Sequence, residues 1–293
     1  MSDGLLQIIK DLNDGLAAGD PVAALIIGAT GLVMGGLLSS LVFRLPIVLL
    51  RDAPHGEALP RDIPDDLAAR RPFCMLCGHW IAWRHSVPIL GYLLLLGRCA
   101  TCGSRISLRY PLIETLACGV SLVALFRFGG DPAMVAAMVL SFALIAVTFI
   151  DYGEMIIPDL IVLPVLWLGL LCNLYELFTP LPDAVLGAIA GYLTLWSIHW
   201  IYKIAIGKEG LGHGDFKLLA MLGAWLGASA LPFILFLAFA AGSIYGIALI
   251  IVRSAGRTTK IPFGPFLSGA GWITLYWQPA FYSLYWDWVL SFG

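Results

Sequence analysis

The chain has 293 residues, of which 60% are hydrophobic and only 12% are charged. Soluble globular domains carry about 25% charged residues, so this composition excludes a disordered, fibrous or nucleic-acid-binding chain and argues against a soluble enzyme. The formal net charge of -2 gives no sign of polyanion binding.

Residues 1–20 are predicted to form an external N-terminal tail. They contain several charged residues, lack a basic start and show no small-residue cleavage pattern, which argues against a removable signal peptide. The apolar residues between Leu5 and Leu16 are compatible with a short surface helix, and an unstructured tail is the alternative.

Long uncharged runs follow this tail. They occupy 21–43, 132–150, 160–175, 184–202, 218–252 and 261–286, and a shorter run at 115–126 extends to about 110–127 if Glu114 lies near the membrane edge. A bilayer-spanning helix needs roughly 20 mostly apolar residues. The run 218–252 is too long for one helix and contains Pro232, which predicts two spans joined by a turn near 228–232.

The predicted fold is therefore all-α, with about eight transmembrane helices, because a lipid-exposed backbone must satisfy its hydrogen bonds within each helix. We assign 21–43 to the first transmembrane helix, 44–109 to a Cys-rich domain and 110–293 to a seven-helix membrane domain. Fifteen of the 17 Lys and Arg residues fall in 44–109, 203–217 and 253–260, which lie on one face in this topology. The positive-inside rule places that face in the cytoplasm and both termini outside.

Four of the six cysteines form two C-x2-C pairs, Cys74 with Cys77 and Cys99 with Cys102. Their spacing is typical of a four-thiolate zinc site, and disulfides are disfavoured in the cytoplasm. Tetrahedral Zn²⁺ would stabilise a polar loop that is too small to fold securely alone, whereas unligated thiols are the alternative. Cys118 and Cys172 lie in apolar runs and are expected to pack as small hydrophobic residues.

Two acidic residues border predicted spans on the cytoplasmic face. Asp151 ends the run 132–150, and Asp215 follows three alternating glycines in the segment 210–214. Ionisable groups are costly in lipid, and glycines let another segment approach a carboxylate closely, so both are candidate functional groups. Solvated helix-end residues are the alternative. No strand precedes the glycines, so the segment does not indicate a nucleotide site.

At these residues the chain resembles a known family. Gly212-His213-Gly214-Asp215 matches the G-x-G-D motif of polytopic aspartic proteases, and together with Phe216-Lys217 it resembles the bacterial type IV prepilin peptidases. Asp151 and Ile157-Pro158-Asp159 are similar to that family's first catalytic aspartate and its downstream Pro-Asp. Further similarities, which extend over nearly the whole chain, are Arg44-Leu45-Pro46, the two Cys pairs, Val87-Pro88, Tyr110-Pro111-Leu112 with Glu114, and Ile261-Pro262-Phe263-Gly264-Pro265. Ser39 departs from the family pattern, which usually has Asn five residues before the Arg.

The resemblance implies that Asp151 and Asp215 are the catalytic pair. The supporting motif residues would be Gly212, His213, Gly214, Lys217, Pro158 and Asp159. One ionised carboxylate would take a proton from water while the protonated partner polarises the scissile carbonyl. Asp159 and Glu154 are rivals for the first role, but Asp159 is expected to cap the fourth span or to contact backbone, because it follows a proline at a helix start. His213 either tunes Asp215 or fills the variable position of the motif.

The same resemblance implies substrates, a cosubstrate and a location. The substrates would be type IV prepilins or type II secretion pseudopilins, cut at the cytoplasmic face of the bacterial inner membrane. The new N-terminal residue, commonly Phe, would then be methylated with S-adenosylmethionine, an activity associated with the zinc-binding Cys domain. No sequence feature marks the S-adenosylmethionine site.

Two other functions are compatible with parts of this pattern. A G-x-G-D intramembrane protease of the presenilin-like type, with other substrates, should lack the Cys domain that is present here. A proton- or cation-coupled transporter should show inverted-repeat hydropathy and carboxylates nearer the centres of its spans, and neither is visible.

Overall fold

The structure is a computed structural model that describes residues 20–51, 77, 79, 87–207, 212–253 and 261–290. In these ranges its regular elements are helices, and Arg98 and Arg105 form an isolated antiparallel bridge. The helices are α1 (Pro21–Arg51), α2 (Leu90–Leu94), α3 (Arg109–Phe128), α4 (Pro132–Glu154), α5 (Asp159–Asn173), α6 (Leu181–Ile206), α7 (His213–Leu226), α8 (Leu231–Arg253) and α9 (Gly264–Leu290). A short 3-10 helix, Ala228–Ala230, lies between α7 and α8.

These helices confirm the all-α fold class and the predicted turn in the run 218–252. α7 ends at Leu226, and Gly227 then adopts a φ of 85°, in the left-handed region that favours glycine. The first helix differs from the prediction, because it continues past residue 43 to Arg51 and includes Pro46. Arg44 ends the uncharged run, but the helix continues beyond it. A long basic side chain near the end of a span can place its charge in water, so Arg44 does not have to end the helix.

Five helices in the described part of the chain are long and apolar enough to cross a membrane. They cover Pro21–Leu49, Arg109–Phe128, Pro132–Glu154, Leu181–Ile206 and Ala228–Val252. α5 is apolar but has only 15 residues, and α7 has 14. A helix the length of α7 spans about 21 Å, which is less than the ~30 Å hydrocarbon core of a bilayer.

Residues Met1–Ala146 form one compact unit, in which α1 packs along α3. The contact face of α1 contains Gly31 and Gly35, one helical turn apart. A Cβ added at Gly31 would lie 2.6 Å from Ser121 Oγ, and one added at Gly35 would lie 2.7 Å from the Cα of Glu114. Glycine at both positions therefore allows the close approach of two helices that small-residue faces provide in membranes.

Residues Val147–Gly293 form the second compact unit, in which α7 packs against α5, α6 and α9. From Asp215 to Leu226, every residue of α7 except Lys217 is buried. An added side chain at Gly187 of α6 would collide with the α7 backbone, and Gly169 of α5 leaves room for the indole of Trp225. α7 is therefore surrounded by protein along most of its length.

The C-terminal end of α7 is held by Asn173, the fully buried last residue of α5. Its amide group donates hydrogen bonds to the carbonyl oxygens of Ala224, at 2.9 Å, and Trp225, at 3.0 Å. Its oxygen accepts a hydrogen bond from the backbone N–H of Thr179. Helix C-terminal carbonyls otherwise lack partners, so this contact stabilises the end of α7 opposite Asp215.

Candidate functional site

Asp151 lies in the last turn of α4 and is only 5% exposed. Its Oδ2 atom accepts a hydrogen bond from the backbone N–H of Gly264, over a distance of 2.9 Å. Gly264 is the first residue of α9, so the N-terminal end of that helix faces the carboxylate. A helix N-terminus carries a partial positive charge and unpaired N–H groups, which stabilise an anion placed there.

Asp215 is the third residue of α7 and is 6% exposed. Its Oδ2 atom accepts a hydrogen bond from the backbone N–H of Gly212, the residue that precedes the helix, at 3.1 Å. An acidic side chain at this position commonly bonds back to the N-cap residue, and its charge is favourable in the first turn. The sequence G-x-G-D thus folds so that the carboxylate is held against the start of its own helix.

Ile157 packs between the first turn of α7, which carries Asp215, and the start of α9, which contacts Asp151. A Cβ added at Gly214 would lie 2.7 Å from Cβ of Ile157, and one added at Gly264 would lie 3.2 Å from its Cδ1. The charges of Asp151 and Asp215 interact electrostatically. The structure therefore brings together the two carboxylates proposed from the sequence, and the close approach expected at the G-x-G-D glycines occurs at Gly214. Gly210 and Leu211 lie outside the described residues.

Asp159 has a different environment from the two buried acids. It is the first residue of α5, but no side-chain hydrogen bond caps that helix, so the expectation that Asp159 acts as a cap is wrong. Its carboxylate instead pairs with Lys217, whose Nζ lies 2.8 Å from Oδ1 and 2.7 Å from Oδ2. A lysine on another helix provides a charged partner, which a local reading of Pro158-Asp159 could not reveal. Glu154 is exposed at the end of α4.

His213 is exposed, and its ring lies near two others. The ring centroids of His213 and His199 are 5.3 Å apart, and each imidazole lies 5.5 Å from the ring of Phe216. His199 is buried on α6, and no motif in the sequence marks it. This ring cluster joins α6 to the first turn of α7, next to Asp215.

Cysteine side chains form a separate candidate metal centre. The sulfur atoms of Cys77, Cys99 and Cys102 all lie within 4.8 Å of one another. Three thiols from two C-x2-C pairs are a donor set that suits Zn²⁺. Cys74, the predicted fourth ligand, lies outside the described residues. The structure therefore brings together three of the four proposed ligands in a geometry that a metal ion can use.

The loop around Cys102 favours the form of the thiol that binds metal. The Cys102 sulfur lies 3.0 Å from the hydroxyl of Ser104, and hydrogen bonding by Ser104 lowers the pKa of this thiol. Backbone bonds from Cys99 N–H to Ser104 O and from Gly103 N–H to Cys99 O close the turn. Gly103 has a φ of 68°, which glycine adopts without strain. Metal binds the thiolate, so a lowered pKa assists ligation.

The similarity to known families covers both halves of the described chain. The model described as the type IV leader peptidase family matches residues 138–247, which include Asp151 and Asp215. The model described as the bacterial peptidase A24 N-terminal domain matches residues 29–128, which include the cysteine pairs.

Similar curated proteins are described as prepilin leader peptidase/N-methyltransferase. The protein from Pseudomonas putida is 43% identical over 259 residues, covering 86% of this chain and 90% of that protein. The protein from Aeromonas salmonicida (strain A449) is 46% identical over 255 residues, covering 84% and 88%. The protein from Pseudomonas aeruginosa strain PAO1 is 42% identical over 254 residues, also covering 84% and 88%. No solved structure matches the chain significantly.

Proposed function

The chain belongs to the type IV leader peptidase family, and from this premise we propose that it removes the leader peptide from type IV prepilins or type II secretion pseudopilins. The proposal rests on one observation about this chain's own residues. Asp151 and Asp215, on separate helices, are both buried, and their charges interact. Two carboxyl groups in one site can act as general base and general acid in the hydrolysis of a peptide bond.

In the proposed reaction, Asp151 and Asp215 share one proton. Ionising both carboxyl groups is costly because like charges repel in a partly desolvated site. The ionised carboxylate takes a proton from water, which attacks the scissile carbonyl. The protonated partner donates a hydrogen bond to the carbonyl oxygen and then a proton to the leaving amine. Neither carboxylate becomes acylated.

The hydrogen bonds at the two aspartates support different roles for the two oxygen atoms of each carboxyl group. In both residues Oδ2 is the atom held by a backbone N–H, from Gly264 in one case and Gly212 in the other. Among the described residues, Oδ1 of neither aspartate has a hydrogen-bond partner. We therefore assign the orienting contact to Oδ2 and the contact with water or substrate to Oδ1 in each carboxyl group.

We extend the proposal to N-methylation and zinc, since the relatives' description includes methyl transfer. Cys74 would complete a tetrahedral site with Cys77, Cys99 and Cys102, and bound Zn²⁺ would stabilise the cytoplasmic loop as a structural ion. S-adenosylmethionine would supply the methyl group for the new amino terminus. The three clustered thiols support the zinc part of this proposal.

The proposed topology has eight spans in the bacterial inner membrane, formed by α1 and by α3 to α9, with both termini in the periplasm. The distribution of Lys and Arg supports this orientation. The short helix α7 is compatible with it because protein surrounds most of its side chains. The pair Asp151 and Asp215 (the dyad) and the cysteine loop then both face the cytoplasm.

The two alternative functions are less well supported. A transporter would place its carboxylates near span centres, whereas Asp151 lies at the end of α4 and Asp215 at the start of α7. A G-x-G-D protease of another type would not need the cysteine loop, and this chain matches the N-terminal domain of bacterial leader peptidases over 29–128.

Incubation of the purified protein with a precursor pilin, followed by mass spectrometry of the products, tests the proposed function. Loss of the leader mass, together with one added methyl group when S-adenosylmethionine is present, is the expected result. An intact precursor would contradict the peptidase. Cleavage without methyl addition at saturating S-adenosylmethionine would contradict only the methyl transfer.

A further inference from the structure

Glu114 is a second kind of buried acid, which the proposed cleavage reaction does not use. It lies in the first part of α3, is 9% exposed and belongs to the compact unit that contains the cysteines rather than the dyad. A carboxylate within a membrane-spanning helix is costly to bury, so its presence requires a binding partner or a chemical role.

One oxygen of Glu114 has a clear structural contact. Oε2 accepts a hydrogen bond from the backbone N–H of Ile89, at 2.7 Å. Ile89 has a φ of 59°, an unusual value for a β-branched residue, and lies in the turn that leads into α2 and on to Cys99. The carboxylate therefore lies where the cysteine-bearing loop meets the packed pair α1 and α3.

The other oxygen, Oε1, has neither a hydrogen bond nor an ion pair among the residues that the structure describes. It faces Gly36 of α1, where an added Cβ would lie 3.9 Å from Oε1 and 3.4 Å from Cγ of Pro88. These are ordinary contact distances, so packing does not require glycine at position 36. At the neighbouring Gly35 packing does require glycine, because a Cβ there would lie 2.7 Å from the Cα of Glu114. The absent side chain leaves space beside Oε1.

We propose that Glu114 binds the free amino terminus of the cleaved substrate and takes a proton from it for methyl transfer. This inference rests on the N-methylation in the proposed function and adds the residue on the acceptor side. An ammonium group is small and offers three N–H donors, so it suits a carboxylate oxygen that has space beside it and no other partner among the described residues. Charge-assisted hydrogen bonds of this kind are strong in a partly desolvated site.

The proton transfer is necessary because an ammonium group has no electron pair with which to react. Glu114 accepts one proton from the ammonium, which becomes a neutral amine. The lone pair of the amine then forms a bond to the methyl carbon of S-adenosylmethionine. The carbon–sulfur bond breaks, and its electron pair stays on sulfur, giving S-adenosylhomocysteine. The positive charge thus passes from sulfur to the methylated nitrogen.

The first test measures amine binding without methyl transfer. The probe is a synthetic apolar peptide that begins with Phe and carries a fluorophore at its C-terminus, compared with its N-acetylated form. Fluorescence anisotropy with the full-length protein should show tighter binding of the free amine by about tenfold. Glu114→Gln should abolish that preference, and Glu176→Gln, which alters an exposed carboxylate, should retain it.

The second test measures methylation of the same free peptide, so that prior cleavage is unnecessary. Glutamine can still accept the hydrogen bond from Ile89 but cannot take the proton, so Glu114→Gln should lower the methylation rate by about 100-fold. Zinc content and melting temperature should match the wild type. Gly36→Val keeps the carboxylate but fills the space beside Oε1, and it should also abolish the preference for the free amine.

Wild-type methylation and amine preference in Glu114→Gln would overturn the inference and leave Glu114 with only the Ile89 contact. If Glu114→Gln loses zinc and has a lowered melting temperature, Gly36→Val is the deciding variant. An unchanged preference for the free amine in Gly36→Val would then overturn the inference. If the wild type does not methylate the peptide, the methyl transfer of the proposed function fails, and the proton-transfer role fails with it. The anisotropy comparison still decides whether Glu114 binds the amine.

Discussion

The backbone N–H of Gly264 donates a hydrogen bond to Oδ2 of Asp151, over 2.9 Å. Helix α9 therefore begins at the carboxylate that α4 presents in its last turn. A Cβ at 264 would lie only 2.6 Å from the same oxygen, so the contact requires glycine. Through this relationship the segment Ile261-Pro262-Phe263-Gly264-Pro265 contacts one member of the proposed dyad.

Replacing Gly264 by Ala should therefore reduce catalysis more than it affects the fold. The added methyl group would push the Asp151 carboxylate away from the start of α9, and displacement of a catalytic group by about 1 Å costs about 100-fold in rate. We expect kcat for precursor cleavage to fall by about that factor, as measured by mass spectrometry of the products at equal folded concentration.

Gly269→Ala is the matched control for that variant. Gly269 belongs to the same helix, and no atom would lie within 4 Å of its added Cβ. This substitution should leave kcat within about twofold of the wild-type value, because an Ala in a helix interior is slightly more stable than Gly. Equal losses in both variants would show that general damage to α9, rather than contact with Asp151, causes the effect.

Much of the fold could be predicted because helix formation in a membrane depends on local composition. The uncharged run 132–150 predicted α4, which extends over Pro132–Glu154, and the long run 218–252 contained a predictable turn. The cysteine spacing likewise predicted a thiol cluster, and the sulfur atoms of Cys77, Cys99 and Cys102 lie within 4.8 Å of one another. In each case the deciding property lies within one segment.

Contacts between distant segments could not be predicted in the same way. The partner of Asp159 is Lys217 on another helix, and the partner of Asp151 is a backbone N–H on α9, so no local pattern identifies either contact. Gly35 allows α3 to pack closely against α1, and the sequence around Gly35 does not show which helix packs there. The resemblance to a family pointed to residues at several of these positions, but it did not say what they contact.

Asp151→Asn and Asp215→Asn should each remove most cleavage activity. The amide is nearly isosteric with the carboxyl group but cannot take or give the proton, and loss of acid–base catalysis alone costs about 100-fold or more. Protein level and zinc content should stay near the wild-type values. Substantial cleavage by Asp215→Asn, measured on a precursor pilin, would end the aspartic-protease interpretation.

Cleavage by the wild-type protein should depend on pH with a bell shape. At low pH both Asp151 and Asp215 hold a proton, so no carboxylate can activate water. At high pH both are ionised, so none can protonate the leaving amine. The two limbs report two apparent pKa values that belong to the pair. A rate that rises to a plateau and does not fall again would contradict the need for one shared proton.

Zinc content should be about one ion per chain in protein purified without chelators. Cys99→Ser should lower that content, because a serine hydroxyl is a poor replacement for a thiolate ligand, and it should reduce the stability of the loop. Cys172→Ser is the control, since this cysteine lies in α5 and is not a member of the cluster. Absence of metal in the wild type, or a disulfide between Cys74 and Cys77, would contradict the zinc site.

The ion pair between Lys217 and Asp159 should position the two active-site segments rather than take part in the chemistry. Asp159 begins the helix that follows Asp151, and Lys217 lies two residues after Asp215, so the pair links both segments. Its side chains are 32% and 53% exposed, and partly exposed pairs contribute up to about 1 kcal/mol, or about fivefold in an equilibrium.

Asp159→Asn and Lys217→Met should each lower kcat by about fivefold, far less than Asp151→Asn. The double variant Asp159→Lys with Lys217→Asp restores opposite charges across the same gap, so it should recover part of the loss if the ion pair matters. Cleavage rates at low and high salt check the same point, because salt screens an exposed pair and should reduce the wild-type advantage. A loss at Asp159→Asn greater than that at Asp151→Asn would instead assign the first catalytic role to Asp159.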